Sequence, residues 1–331
     1  MTSLHGLKVL VTGADGFIGS HLTEALTRAG ARVRAFCVYN SLGTRGWLDT
    51  VPADVVSEVE FRLGDIRDAR FVERAAEGID VVLHLAALIA IPYSYQAVES
   101  FFETNVRGTM NVLNAAQRSG CRRVVHTSTS EVYGTPGSLP IRETHPLQGQ
   151  SPYAASKIAA DKLCEAYVCS FDLPVVVLRP FNTYGPRQSA RAVIPTILEQ
   201  LLRGNRQVEL GSLAPRRDLT FVTDTVNGFL RAAVAEGIDG MTIQLGTGRS
   251  ESIADVFRAA CRAIGVEAQP IERAERVRPA KSEVMALQSD PSRARDVLDW
   301  QSEVSLEQGL AQTAEWMRGQ LAHYRAGVYV V

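Results

Sequence analysis

The sequence predicts a doubly wound α/β fold, a parallel sheet with helices on both faces, followed by a smaller region of mixed structure. Three observations carry this. Short β-rich apolar runs alternate with helical patterns through the first half of the chain, as successive βαβ units require. The run Val81 to Ala87 is almost continuously apolar, as a parallel strand buried on both faces must be. A glycine-rich turn separates the first run from the first helical pattern.

Taken in order, Leu7 to Val11 is the first expected strand, ending in Thr12-Gly13. Gly13-Ala14-Asp15-Gly16-Phe17-Ile18-Gly19 follows, then a helical pattern to about Ala29. Strand, glycine turn and helix together make a dinucleotide site: the backbone can approach a pyrophosphate, and the anion meets free N–H groups at a helix N-terminus. Ala31 to Tyr39 reads as the second strand. A dinucleotide fold often carries an acid there to bond the ribose 2′-hydroxyl. This chain has Phe36-Cys37-Val38-Tyr39-Asn40-Ser41 instead, with Arg45 in the loop beyond, so both NAD and NADP stay open. Cys37 is expected to be a small buried strand residue.

Glu60 to Leu63 is the third strand, ending at Gly64-Asp65-Ile66, where Asp65 could contact an adenine. Val81 to Ala87 is the fourth, its small terminal residues leaving room for a cofactor and its His84 expected as a satisfied core residue. A long helical pattern from about Val98 to Ser119 contains Asn105. Arg122 to Thr127 and Pro174 to Leu178 complete the strands of the first half. Beyond the turn-rich Arg179–Arg187 stretch the alternation weakens. Helices are expected at Val193–Arg203, Val222–Ala235, Ile253–Ile264 and Leu306–Ala322, with short strands at Val208–Leu210 and Thr242–Leu245. The expected division is a Rossmann dinucleotide-binding domain over residues 1–180 and a substrate-binding region over 181–331, with Val222–Ala235 able to pack back on the sheet. The apolar tail Val328-Tyr329-Val330-Val331 has no assigned role.

Bulk properties exclude several classes. The 331 residues carry a net charge of −1 with acids and bases interspersed, which argues against a nucleic-acid surface. The five cysteines are scattered without metal-ligand spacing, so no metal is expected and a reduced, cytoplasmic protein is. No apolar run reaches the length of a membrane span.

The chemistry centres on Ser151-Pro152-Tyr153-Ala154-Ala155-Ser156-Lys157. Tyr153 and Lys157 lie one helical turn apart on one face. An ammonium near a phenol should lower its pKa, letting Tyr153 take a proton from an alcohol while a bound nicotinamide takes the hydride.

With the motifs Thr12–Gly19, Asp65-Ile66, His84-Leu85-Ala86-Ala87, Ser128-Thr129-Ser130-Glu131-Val132-Tyr133-Gly134, Tyr153 with Lys157, and Arg179 to Pro186, nearly the whole chain resembles the extended short-chain dehydrogenase/reductase family of nucleotide-sugar epimerases and dehydratases. The resemblance implies a tightly held NAD, with NADP as the alternative. Its binding residues would be Gly13, Asp15, Gly16, Phe17, Ile18, Asn40, Asp65, Ile66, Leu85, Ala86, Ala87, Thr127, Tyr153, Lys157 and Pro180. It implies a nucleoside-diphosphate sugar gripped by Asn182, Arg191, Arg217 and Arg278, with Glu283 a weaker candidate. It also implies a homodimer built on a helix bundle that includes the Tyr153 helix. Within the family, Thr129-Ser130-Glu131 resembles sugar 4,6-dehydratases, where the Glu removes the C5 proton. Ser130 stands where thymidine-nucleotide glucose dehydratases have an Asp that protonates the leaving hydroxyl. UDP-glucuronate decarboxylases share the triplet. The runs Pro186–Pro195, His145–Pro152 and Ala87–Ser94 look like dehydratases of the legionaminic acid pathway, which act on nucleotide-activated N-acetylglucosamine.

The expected roles follow from that resemblance. Tyr153 takes the 4-hydroxyl proton, Lys157 lowers its pKa, Thr129 orients the 4-oxygen and Glu131 takes the C5 proton. Thr129 and Glu131, two apart, should point to one side of an extended chain, and a burial-raised pKa would suit Glu131 to accept and return a proton. The alternatives are a UDP-glucuronate decarboxylase, a 4-epimerase or, outside enzymes, a redox-sensing NAD(P)-binding protein. The last would typically lack Tyr153 or Lys157.

Overall fold

The computed structural model describes residues 3–324; the Val328–Val331 tail lies outside the described residues. Seven parallel strands form one sheet in the order Thr242–Leu245, Val175–Pro180, Arg123–Thr127, Val81–His84, Lys8–Thr12, Arg32–Val38, Glu60–Gly64. From Lys8–Thr12 the chain first builds outward one way, then returns and builds the other way. That reversal leaves a crevice at the strands' carboxyl ends, the place where ligands of such sheets bind.

The period-2 alternation of strand side chains divides the core. Val9, Val11, Leu83, Val125 and Val176 face the helices Phe17–Arg28 and Val222–Val234. Leu10, Val82, Val124 and Val175 face the helices Ala69–Ala76, Gly108–Ser119 and Pro152–Phe171. Both faces are therefore apolar, and Val175–Pro180 is buried along its whole length. Cys37 is fully buried in its strand, as expected.

The second half returns to the sheet twice. Val222–Val234 packs across the first helix and the central strands, and Thr242–Leu245 supplies the edge strand beside Val175–Pro180. The remainder forms a separate layer: helices Val193–Leu202, Ile253–Ile264 and Leu306–Arg318 pack together, beside the parallel strand pair Gln207–Leu210 and Gln269–Glu272.

Several boundaries differ from expectation. The fourth strand stops at His84, because the N–H groups of Leu85 and Ala86 turn to the Thr12 hydroxyl at 3.2 and 3.1 Å. The second stops at Val38, and the sixth continues to Pro180. The last long helix ends at Arg318 instead of Ala322, and a short turn over Leu321–His323 follows. The Val98–Ser119 pattern is helical throughout but contains a π-helical stretch, Phe102–Arg107, between Val98–Phe101 and Gly108–Ser119. Such widened turns are frequent at functional sites.

Candidate active site

Tyr153 and Lys157 stand on the helix Pro152–Phe171. Its start is fixed by local chemistry: the Ser151 hydroxyl accepts from the Ala154 N–H at 3.1 Å, and Pro152 occupies the first turn, where no N–H is needed. Both side chains are buried. Asn105, in the π-helical stretch, locks this helix to the neighbouring loop. Its amide donates to the Leu88 carbonyl and the Ser156 hydroxyl, and its oxygen accepts from the Leu88 N–H.

Thr129, Ser130 and Glu131 follow the strand Arg123–Thr127. Sequence reading placed Thr129 and Glu131 on one extended segment. Only Thr129 is extended; Ser130–Tyr133 is a 3-10 turn capped by the Thr129 hydroxyl, which accepts from the Glu131 N–H. Gly134 ends the turn at φ +58°, where a Cβ would lie 2.6 Å from the Gln148 carbonyl, so a side chain there would clash. The three functional groups still converge: the Tyr153 phenol hydrogen-bonds to Thr129, and the buried Glu131 carboxylate lies close enough for its charge to act on the phenol.

The expected lowering of the Tyr153 pKa is not what the protein alone provides. Burial dominates and pushes the phenol up; the Thr129 hydrogen bond opposes this, while the charges of Glu131 and Asp161 add to the rise. The Lys157 Nζ is directed to the Thr127 carbonyl at 2.6 Å. Burial brings Lys157 itself down to about 8, against the opposing charge of Asp161.

Asp161 is the residue that sequence reading missed. It sits one turn beyond Lys157, and its Oδ2 accepts from the Ser128 hydroxyl at 2.8 Å and from Arg179 Nε and Nη2 at 3.2 and 2.9 Å. His126 Nε2 lies 3.4 Å from Oδ1. Burial alone would raise the carboxyl; His126 and the charges of Arg179 and Lys157 outweigh it and hold it low. Asp161 thus joins the Tyr153 helix to two strands, just before Thr129. The only sequence signal was its spacing from Lys157, which any solvated helical acid could share.

The crevice beside these groups fits a dinucleotide. Gly13 has φ +68°, and a Cβ there would sit 2.8 Å from the Ala86 backbone nitrogen, so the turn and the Leu85–Ala87 loop form a cradle that side chains would fill. Thr12 and His84 hold that loop: the Thr12 hydroxyl and His84 Nδ1 are 2.7 Å apart, and His84 Nε2 lies 3.0 Å from the Thr109 hydroxyl. His84 is therefore the satisfied core residue expected. The Thr127 hydroxyl, at the sheet's carboxyl edge, is buried without a partner. Phe17 and Ile18 open the first helix, Ile66 is buried beside Gly108, and Pro180 ends its strand. Asn40 uses its amide on its own loop, bonding Leu42 and Thr44, and Asp65 is held by Arg67.

On the far side, Arg217 is buried, donating to the Val284 carbonyl at 2.7 Å and to Glu283 at 2.8 Å. Arg278 Nη1 lies 3.7 Å from the same carboxylate and makes no hydrogen bond. Ser282 ties this segment to the loop that leads into the Tyr153 helix by donating to the Gln150 carbonyl. Asn182 Oδ1 is buried without a partner. Arg191 is exposed and bonds Ser189. Among the described residues no cluster suited to a metal and no membrane-spanning helix occurs.

Residues 10–313 match the family described as GDP-mannose 4,6 dehydratase. A UDP-glucose 4-epimerase of Mycolicibacterium smegmatis is 35% identical, with 95% of this chain and 99% of that protein aligned. A dTDP-glucose 4,6-dehydratase of an Actinoplanes species is 33% identical over 94% and 98%. The crystal structure of a double mutant of a Streptomyces venezuelae dTDP-glucose 4,6-dehydratase, with NAD and DAU bound, superposes with a TM-score of 0.85 at 32% identity, covering 96% of this chain and 98% of that one. A fold, a glycine cradle and a Tyr-Lys helix of this kind, matched over nearly the full length, assign the chain to the GDP-mannose 4,6-dehydratase family, within the extended short-chain dehydrogenase/reductases.

Proposed function

We propose that this protein is an NAD-dependent nucleotide-sugar 4,6-dehydratase, a hydro-lyase, whose substrate is a nucleoside-diphosphate N-acetylglucosamine. The observation that carries the reading is the buried Glu131 carboxylate beside Tyr153 and Thr129. A 4-epimerase needs one acid–base group at C4. A dehydratase needs a second base for C5, and Glu131 supplies it. The epimerase relative keeps 4-epimerisation as the competing reading.

Gly13, Gly16, Phe17, Ile18 and the Leu85–Ala87 loop would hold the dinucleotide, with Asp65 and Ile66 toward the adenine and Thr127, Lys157 and Pro180 toward the nicotinamide end. When bound, NAD would supply the hydride chemistry, an acceptor toward C4 and a donor toward C6. Tyr153 takes the 4-hydroxyl proton, and Thr129 holds the 4-oxygen. The resulting C4 ketone acidifies C5. Glu131 removes the C5 proton and delivers it to the C6 hydroxyl, which Ser130 would bond, so that group leaves as water. Glu131, reprotonated by the exchangeable proton that Tyr153 took from the 4-hydroxyl, then protonates C5, so the net change is loss of one water. Arg217, Arg278, Arg191 and Asn182 would grip the diphosphate and base; a guanidinium suits phosphate through its planar fork.

We also propose a homodimer formed through the helices Gly108–Ser119 and Pro152–Phe171. Exposed Met110 and Phe171 on these helices support it, and light scattering of the purified protein tests it.

The deciding experiment incubates the protein with UDP, GDP, TDP and CDP sugars and measures product mass. Loss of water from an N-acetylglucosamine nucleotide is expected. Loss of carbon dioxide from a glucuronate, or an isomer of unchanged mass, would replace this reading. In heavy water the product should carry deuterium at C5.

A further inference from the structure

The second strand ends without the acid that normally receives the adenosine 2′-hydroxyl. Val38 and Tyr39 at that end are exposed and apolar or aromatic, and the Asn40 amide is consumed by its own loop. A carboxylate nevertheless reaches the place from the glycine turn. Asp15 Oδ2 accepts from the Val38 N–H at 3.4 Å, which puts the carboxylate at the last residue of the strand. Its backbone is clamped: the Asp15 carbonyl accepts from the Trp47 N–H at 3.0 Å, and a Cβ on Gly46, at φ +58°, would lie 2.5 Å from that oxygen. The cations of this corner are already matched. Arg45 binds Asp49, and Arg67 binds Asp65.

We infer that Asp15 takes over the role of the missing strand-end acid, accepting the adenosine 2′-hydroxyl and excluding a 2′-phosphate, so that the enzyme is selective for NAD over NADP. The inference rests on the dinucleotide reading above. A 2′-phosphate placed there would meet a carboxylate held by one backbone N–H and find both neighbouring guanidinium groups engaged. Specificity would thus come from repulsion of the wrong ligand as well as a bond to the right one.

The test is equilibrium binding to the full chain freed of nucleotide, by calorimetric titration with NAD+, NADP+ and 2′-deoxy-NAD+. The wild type should bind NAD+ at least about tenfold more tightly than NADP+ or the 2′-deoxy analogue. Asp15→Asn, nearly the same shape, and Asp15→Ser should each narrow the NAD+/NADP+ ratio by about tenfold and bind NAD+ and its 2′-deoxy analogue alike. Without any variant, the wild-type ratio should shrink as salt is raised, because the repulsion is screened. An unchanged ratio in folded variants, a wild-type preference for NADP+, or a salt-independent ratio would overturn the inference while leaving NAD binding intact. Binding of neither nucleotide would instead overturn the dinucleotide reading itself.

Discussion

Two buried arginines, Arg179 and Arg217, differ in their surroundings. Arg179 has its needs met: two bonds to Asp161, one to the Tyr133 hydroxyl at 2.9 Å, and the Tyr133 ring 5.0 Å beneath its guanidinium. Arg217 shares a single carboxylate, Glu283, with Arg278, whose Nη1 makes no hydrogen bond. The first cluster pairs anion with cation and fixes geometry. The second holds two cations against one anion and leaves Arg278 Nη1 without an acceptor. In our reading the first positions the catalytic groups, and the second awaits an anionic ligand.

The largest effect should come from the side the first cluster supports. Tyr153→Phe keeps the ring and its edge contact with Phe101 but removes the hydroxyl proposed as the base. Turnover should fall by about 10²–10⁴ with folding and nucleotide retention normal, measured by steady-state kinetics. Near-normal turnover would remove Tyr153 from its role. Glu131→Gln should be similarly inactive, yet under single turnover it should stall after C4 oxidation and accumulate reduced-nicotinamide absorbance; release of dehydrated sugar at the normal rate would contradict this.

Next is Asp161→Asn, which leaves Arg179 buried without its counter-charge. Breaking a buried pair in this way costs about 3–5 kcal/mol, to be read from urea unfolding. Arg278→Ala should barely move stability. Equal losses in both variants would erase the distinction drawn between the clusters.

Acid provides a third comparison. Burial holds His126, beside Asp161, at about 4, with the Lys157 charge adding to the lowering. His21 is likewise held at about 4 by burial and the Arg187 charge. Their folded pKa values lie below the unfolded ones, so their contribution is fully present above about 6.5. As pH falls from there to about 4, the unfolded state takes up protons that the folded state refuses, and stability drops. Urea midpoints at pH 7, 5.5 and 4.5 should fall in that order, and His126→Asn should flatten the fall. A flat wild-type profile would count against neutral buried histidines.

The smallest effect belongs to the second cluster. Arg278→Ala should raise the KM for the nucleotide sugar by about tenfold, the order of one charge-assisted hydrogen bond, with kcat little changed. A kcat loss without a KM change would place Arg278 in the chemistry instead.

Much of the sheet was legible because its strands are buried on both faces and read as unbroken apolar runs. Gln269–Glu272 was not: it pairs with one short strand, sits half exposed and shows no apolar alternation. The Tyr153–Lys157 spacing and the glycine turn were legible because local geometry alone requires those residues. Asp161 was not, because its partners Ser128, just past one strand, and Arg179, within another, are distant in sequence and nothing in its own neighbourhood announces them. The lowered Tyr153 pKa was misjudged for a related reason: spacing reveals the ammonium nearby but not the burial that outweighs it.

The path of the second half, which leaves the sheet, returns as Val222–Val234 and Thr242–Leu245 and leaves again, bears on how such an enzyme acquires new substrates. A covering module joined by one linker could be exchanged between relatives by recombination. Here a cut after Val175–Pro180 would strip both a helix and the edge strand from the sheet. The covering layer therefore cannot be detached at that junction without dismantling the sheet whose carboxyl edge carries the site.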